Sequence, residues 1–410
     1  MHWFMKNIKR KGNDLAVICN DFGEWNGRSY SQLFDVSVFM GLGYGQDKIT
    51  FVPPSLHMFA PIPTLLSGII QGETIFMSGR CPEYIRLADN PLFEKAKLPI
   101  VIISSGSTGK PKMVVHDLEK ILEFHKGSKK KLRTIAFLKF DHIGGLNTVL
   151  YTLSAGGTLI VPQTLSVEHV CEAIQEHKAE LLPCTPSFLN LLILSGAYKK
   201  YDLSSLKIIS FGTEPMSDTL LDTLRKIFPD VKLKQLYGMS EIGILPNKTN
   251  PDDPNFIKLK DDMKIVDGKL FVKSPMSMIG YIGQDSPIDS DGWMETGDIV
   301  EESNGYIRIL GRDDDVINVG GLKVYPAEVE EELMRFNVID DAAVYAVPSA
   351  ILGQTVACNI VLGEAAVAIT DPIFHEMMIK AFPDDKYKRP MTYTVVDSVT
   401  TERGKKVRHE

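Results

Sequence analysis

Short apolar, β-branched runs alternate along this chain with longer stretches whose apolar residues recur every three or four positions. Ile100–Ser104 (IVIIS), Thr134–Phe137, Thr158–Val161 and Leu206–Phe211 (LKIISF) have the length and composition of buried strands. Val167–His177, Ser187–Leu194 and the stretch around Asp218–Phe228 carry helical spacing. This alternation predicts α/β layering with largely parallel sheets. The pattern changes after about Leu245. Pro246–Lys260 is rich in Pro, Asn and Asp and predicts a loop, and glycine-punctuated strands at Lys269–Lys273 and Tyr306–Leu310 predict a small β-rich subdomain.

A charged joint, Gly311–Asp315 (GRDDD), precedes the last segment. That segment opens with a helix: Pro326 sits in the first turn, Glu328, Glu330 and Glu331 lie near the positive end, and Val329, Leu333 and Phe336 share one face. Strands Ala342–Val347, Val356–Val361 and Met391–Val396, with a helix near Asp371–Phe382, complete a small α+β unit. The sequence carries no internal repeat and no low-complexity tract.

The 410 residues are more than one ordinary domain needs, and the balance of 44% apolar to 24% charged residues is that of a globular chain with sizeable cores. A net charge of −7 calls for no nucleic-acid partner and no anionic membrane. The basic run Lys126–Arg133 reads as a solvated turn. Five dispersed cysteines (Cys19, Cys81, Cys171, Cys184, Cys358) show neither metal-ligand spacing nor a disulfide pattern, which suits a reducing compartment. The first residues lack the apolar core of a signal peptide, and no apolar run is long enough to cross a bilayer. The expected location is cytoplasmic, without membrane insertion. Oligomeric state is not readable.

Chemistry first becomes visible at Ser104–Lys112 (SSGSTGKPK), directly after an apolar strand. Gly106 and Gly109 let the backbone turn so that several N–H groups point into one concavity suited to phosphate oxygens. Ser104, Ser105, Ser107 and Thr108 add hydroxyls, and Lys110 and Lys112 add charge. A Walker A loop is excluded. Ser104 replaces its first glycine, and Pro111 follows Lys110 where Ser or Thr would hold magnesium. Taken alone, the stretch fits a flexible linker as well as a phosphate loop.

Its company decides between them. FGTEP (Phe211–Pro215), YGMSE (Tyr237–Glu241), ETGD (Glu295–Asp298), GRDDDVINVGGLKVYPAEVEEEL (Gly311–Leu333) and RGKKVR (Arg403–Arg408) follow in order. With the Ser/Gly loop these resemble the six motifs of the acyl-adenylate-forming superfamily, which includes acyl- and aryl-CoA synthetases, stand-alone adenylation enzymes and firefly-type luciferases. The resemblance runs from about residue 95 to the end.

It implies a large N-terminal domain (1–312) that binds ATP and acid, and a mobile C-terminal domain (313–410), with Asp314 as hinge. Tyr237 would face adenine, with Gly212, Thr213 and Glu214 on the other side. Ser240 would donate to the α-phosphate. Glu241 would be the ligand of Mg²⁺, which needs only one or two carboxylates beside substrate phosphates. Asp298, assisted by Arg312, would accept from the ribose hydroxyls, and Lys323 would touch phosphate. Lys405, aligned by Gly404 and Arg408 and preferred over neighbouring Lys406, would be the catalytic lysine bridging substrate carboxylate and α-phosphate. Rotation at Asp314 would then withdraw Lys405 and present Gly320–Gly321 for attack by a thiol.

The resemblance also has departures. The phosphate loop comes unusually early, so the first subdomain is expected to be abbreviated, although WNGRSYSQLFDVSVFMGLGYGQDKITFV still resembles its start. The chain also ends soon after Lys405. The acyl pocket is expected around Phe140–Asn147 (FDHIGGLN), Phe211–Gly212 and Gly238–Ile244, with His142 closing it behind the carboxylate and Gly144 and Gly145 leaving room for a ring or modest chain. Asp141 resembles the ammonium-binding Asp of amino-acid-activating domains, whereas H-I-G-G resembles the CoA-ligase version. The implied function is conversion of an aryl or short-to-medium acyl acid to acyl-AMP, then transfer to CoA. The alternatives are loading of a carrier-protein phosphopantetheine and an inactive nucleotide-binding protein.

Overall fold

The computed structural model describes residues 2–21, 24–41, 49–52, 61–77, 90–104, 112–363 and 369–399. Its largest sheet has seven strands in the order Lys232–Gln235, Ile208–Phe211, Leu181–Cys184, Arg133–Ile135, Thr158–Val161, Leu15–Asp21 and Glu24–Ser29. All neighbours are parallel except the last pair. Helices Val167–His177, Pro186–Leu194 and Asp218–Ile227 pack on one face. Each begins where a hydroxyl caps it: Ser166, Thr185 and Ser217 accept from the amides of His169, Phe188 and Leu220. The helix Ile143–Ala155 stops at Gly156, whose φ of 76° gives the left-handed cap that ends a helix.

A second sheet runs Gly280–Tyr281, Lys112–Asp117, Pro99–Ser104, Thr74–Met77 and Ile49–Phe51. It is mixed: Pro99–Ser104 is antiparallel to Lys112–Asp117 and parallel to Thr74–Met77. The core between the two large sheets takes Phe4, Met5, Leu65, Leu66, Ile100 and Leu146, all fully buried. A third, antiparallel sheet contains Met294–Ser303 and Tyr306–Arg312. The last part has its own core, including Val329, Leu333, Val356 and Phe374, between a five-stranded sheet and helices Pro326–Met334 and Asp371–Ala381.

The expected mainly parallel sheet is the seven-stranded one, and the sheet that carries the Ser/Gly loop is mixed. The expected loop Pro246–Lys260 contains one further strand, Phe256–Lys258, because Tyr306–Arg312 supplies its hydrogen-bonding partner. No helix among the described residues is long and apolar enough to cross a membrane.

Candidate functional site

Two parallel strands, Ile208–Phe211 and Lys232–Gln235, end side by side and open the site. The Leu236 amide donates to the Phe211 carbonyl at 2.7 Å. Gly212 follows so closely that a Cβ there would lie 2.6 Å from the Leu236 carbonyl oxygen, which explains the glycine. Thr213 then takes a φ of 75°, a costly conformation for a β-branched residue, and one that tends to occur where function demands it. The Glu214 carboxylate turns away from the strand ends and accepts from the Ser187 amide at 2.7 Å, at the start of helix Pro186–Leu194. Among the described residues read as site residues, Glu214 alone lines a cleft of about 600 Å³ between this helix start and Pro326–Met334.

The other strand continues into Tyr237, which is 7% exposed, and its hydroxyl donates to Asp298 Oδ2 at 2.5 Å. Asp298 lies opposite Arg312 across an antiparallel pair, and the guanidinium donates to Oδ1 at 3.3 Å. Gly297 has a φ of 74°, and a Cβ there would stand 3.1 Å from Arg312 Nη2, so the glycine of ETGD lets the arginine reach across. Burial pushes the Asp298 carboxyl above its usual range, with Arg312 and the Tyr237 hydroxyl opposing. Burial beside Asp298 also holds the Tyr237 hydroxyl protonated.

Tyr237–Glu241 folds back as a hairpin in which Gly238–Met239 pairs with Gly243–Ile244. A Cβ on Gly238 would come within 2.3 Å of the Gly243 carbonyl oxygen. Glu241 accepts at Oε1 from the Tyr281 hydroxyl at 2.7 Å, and its carbonyl accepts from the Met278 amide at 2.7 Å. Lys112 Nζ sits 5.1 Å from the centre of the Tyr281 ring, a cation–π placement. The exit of the Ser/Gly loop and Glu241 are thereby linked through one tyrosine, which sequence reasoning missed. Its only signal was a Gly-Tyr step with no motif around it.

Ser104 and Lys112 are directly opposite partners in an antiparallel pair, so the stretch between them bridges two hydrogen-bonded strand ends. Ser105, Gly106, Ser107, Thr108, Gly109 and Lys110 lie outside the described residues, as do Lys405 and Lys406. His142 precedes the helix Ile143–Ala155, which packs on the Gly238–Ile244 hairpin, and its Nε2 is 3.9 Å from Asp141 Oδ1. The space at Gly145 is not open for a substrate. A Cβ there would meet the Lys139 carbonyl oxygen at 2.0 Å, so this glycine lets the preceding turn close onto the helix.

Asp314 is exposed in the 3₁₀ turn Asp313–Asp315. Asp313 pairs with Lys269 at 2.7 Å, and Lys269 with the more distant Lys323 holds that carboxyl below its usual range. Lys323 itself is exposed on the hairpin Ile317–Val319/Leu322–Val324. The structure thus brings together Gly212, Tyr237, Asp298 and Arg312, and separately places Ser240 and Glu241 on the adjoining hairpin, with Lys112 on the Tyr281 ring that bonds Glu241.

Residues 45–282 match the sequence profile of the AMP-binding enzyme family, more than half of the chain. The chain belongs to the AMP-binding enzyme family. The chain is 30% identical over 275 residues to a 3-[(3aS,4S,7aS)-7a-methyl-1,5-dioxo-octahydro-1H-inden-4-yl]propanoyl:CoA ligase of Mycobacterium tuberculosis, covering 62% of this chain and 54% of the relative. It is 29% identical over 299 residues to 4-coumarate–CoA ligase 1 of Petroselinum crispum, covering 61% and 55%. The chain therefore spans about half the length of the curated relatives it matches. In fold, the chain is similar to the anthranilate CoA ligase AuaEII in complex with anthranoyl-AMP, with a TM-score of 0.80 at 17% identity over 98% of this chain and 95% of that one.

Among the described residues no group of three or more His, Cys, Asp or Glu side chains forms a metal cage. A lone oriented carboxylate, Glu241, fits Mg²⁺, which keeps its waters and takes its other ligands from substrate phosphates.

Proposed function

We propose that this chain uses ATP to activate a carboxylic acid as acyl-AMP and then transfers the acyl group to a thiol, with CoA as acceptor. The observation that carries this reading is the direct bond between Tyr237 and Asp298, which joins the YGMSE and ETGD motifs at one buried corner. In that corner Tyr237 and the Gly212–Thr213 turn flank adenine. Asp298 keeps lone pairs for the ribose hydroxyls, and Arg312 opposes the effect of burial on its carboxyl.

In the first half-reaction a substrate carboxylate oxygen attacks the α-phosphorus, the bond to the bridging oxygen breaks, and pyrophosphate leaves. Ser240 donates to the α-phosphate, and Glu241, fixed by Tyr281, is the side chain that would hold Mg²⁺. The metal, when bound, neutralises charge on the phosphate oxygens. Lys405, placed by its motif, bridges carboxylate and α-phosphate, where negative charge grows. In the second half-reaction a thiolate attacks the acyl carbon, the carbon–oxygen bond to AMP breaks, and the thiol proton passes to solvent. Asp314 is the pivot between the two halves, with 1–312 and 313–410 as the moving parts.

Two relatives are named CoA ligases, which favours CoA over a carrier protein. The acid is proposed to be an aryl or short-to-medium acyl acid. Incubation with ATP, Mg²⁺ and single acids, followed by mass spectrometry, tests the reading. Acyl-AMP alone, then a thioester on adding CoA, is expected. A thioester formed only with a holo-carrier protein moves the assignment to carrier loading, and no acyl-AMP with any acid refutes it.

A further inference from the structure

His116 lies in the strand Lys112–Asp117, four residues beyond the end of the Ser/Gly loop, and is 1% exposed. Its Nε2 stands 2.5 Å from the carbonyl oxygen of Ser240, and its Nδ1 stands 3.2 Å from that of Met276. Both ring nitrogens face acceptors, yet neutral imidazole has one N–H to give. Burial favours the neutral ring, and the shorter distance assigns the proton to Nε2, donating to Ser240.

The next two carbonyls are held as well. That of Glu241 accepts from the Met278 amide at 2.7 Å, and that of Ile242 accepts from the Ser274 hydroxyl at 2.8 Å. Three consecutive carbonyls at the tip of the YGMSE hairpin are thus anchored. Only the first is anchored by a side chain from the strand that leads out of the Ser/Gly loop. Fixing the Ser240 and Glu241 carbonyls fixes the backbone from which both side chains project.

We propose that His116 is a positioning residue for adenylation: its bond to the Ser240 carbonyl fixes the backbone that aims Ser240 at the α-phosphate and Glu241 at Mg²⁺. The inference rests on the adenylating reading above and adds to it a link between the loop strand and the metal-binding hairpin.

Two substitutions separate this role from plain packing. His116→Gln carries an amide N–H about as far out as Nε2, and His116→Asn reaches only as far as Nδ1. Acid-dependent pyrophosphate exchange, with Mg²⁺ varied, is measured on both and on the parent chain, alongside thermal unfolding. His116→Gln is expected to stay near the parent. His116→Asn is expected to lose about tenfold in kcat, the worth of one hydrogen bond, and to need several-fold more Mg²⁺, with KM for the acid unchanged. Equal behaviour of the two variants overturns the proposal, whether both are active or both fail. If His116→Asn does not fold, the Mg²⁺ requirement of His116→Gln decides, and a several-fold rise overturns the proposal. If the parent chain shows no exchange, the adenylating reading has failed by itself. Calorimetric binding of ATP with Mg²⁺ to the three proteins then tests His116 by the same ranking.

Discussion

The hydroxyl of Tyr237 donates to Asp298 Oδ2 at 2.5 Å, joining residues 61 positions apart at a buried corner where two strand ends meet. Asp298 is held there against its solvation preference: burial raises its pKa, and Arg312 with Tyr237 only partly compensates. A carboxylate kept buried at such a cost is expected of a ligand-binding group.

The first prediction concerns that cost. A carboxyl with a folded pKa above its unfolded value of about 3.9 binds more protons in the folded chain, so its contribution to stability falls as pH rises between the two values. Asp298→Asn removes this dependence. Its melting temperature relative to the parent is expected to rise as pH increases through that window and then level off, while ATP affinity drops about tenfold or more. A melting difference that does not change with pH contradicts the account.

Tyr237→Phe leaves the ring and removes the donor. Loss of one bond to a charged acceptor is expected to cost about 1.5–3 kcal/mol in ATP binding, read by calorimetry, with acid binding little changed.

Glu241 and Tyr281 form a graded pair. Glu241→Gln is expected to lower adenylation by about a hundredfold or more, since the carboxylate itself is removed. Tyr281→Phe only frees the carboxylate to move, and is expected to raise the Mg²⁺ needed for half-maximal rate a few-fold while sparing kcat at saturating metal. Metal titrations of the two variants distinguish loss from misplacement.

Gly297 carries a positive φ and the close approach of Arg312. Gly297→Ala is expected to destabilise the chain by about 1–2 kcal/mol through the left-handed backbone alone, read as a lower urea midpoint, and to weaken ATP binding by displacing the guanidinium.

Of the candidate site, the local backbone demands were legible, because they are written as glycines. LKIISF is followed by Gly212, a glycine required by the neighbouring Leu236 carbonyl, and ETGD needs a glycine for its own φ, so these signals are local. Tyr281 and His116 were not legible. Both act across strands, Tyr281 on a hairpin that folds against its sheet and His116 on a carbonyl 124 positions away, and strand alternation does not reveal what lies on the far side of a sheet. The antiparallel return of Lys112–Asp117 was hidden for the same reason, since period-two patterning gives no direction. Gly145 misled because a missing side chain was taken for open space, when a backbone carbonyl fills it.

Lys405→Ala separates the two half-reactions. It is expected to abolish acyl-AMP formation while sparing thioester formation from supplied acyl-AMP, and Asp314→Pro is expected to slow the thioester step most. Equal loss of both steps in each variant contradicts a two-position C-terminal domain.

The most direct measurement of the central claim is acid-dependent exchange of labelled pyrophosphate into ATP, run on this chain over a panel of aryl and short-to-medium acyl acids. The account predicts exchange that requires both an acid and Mg²⁺ and disappears in Glu241→Gln. Exchange that proceeds without any acid, or ATP binding with no exchange for every acid tried, would contradict it.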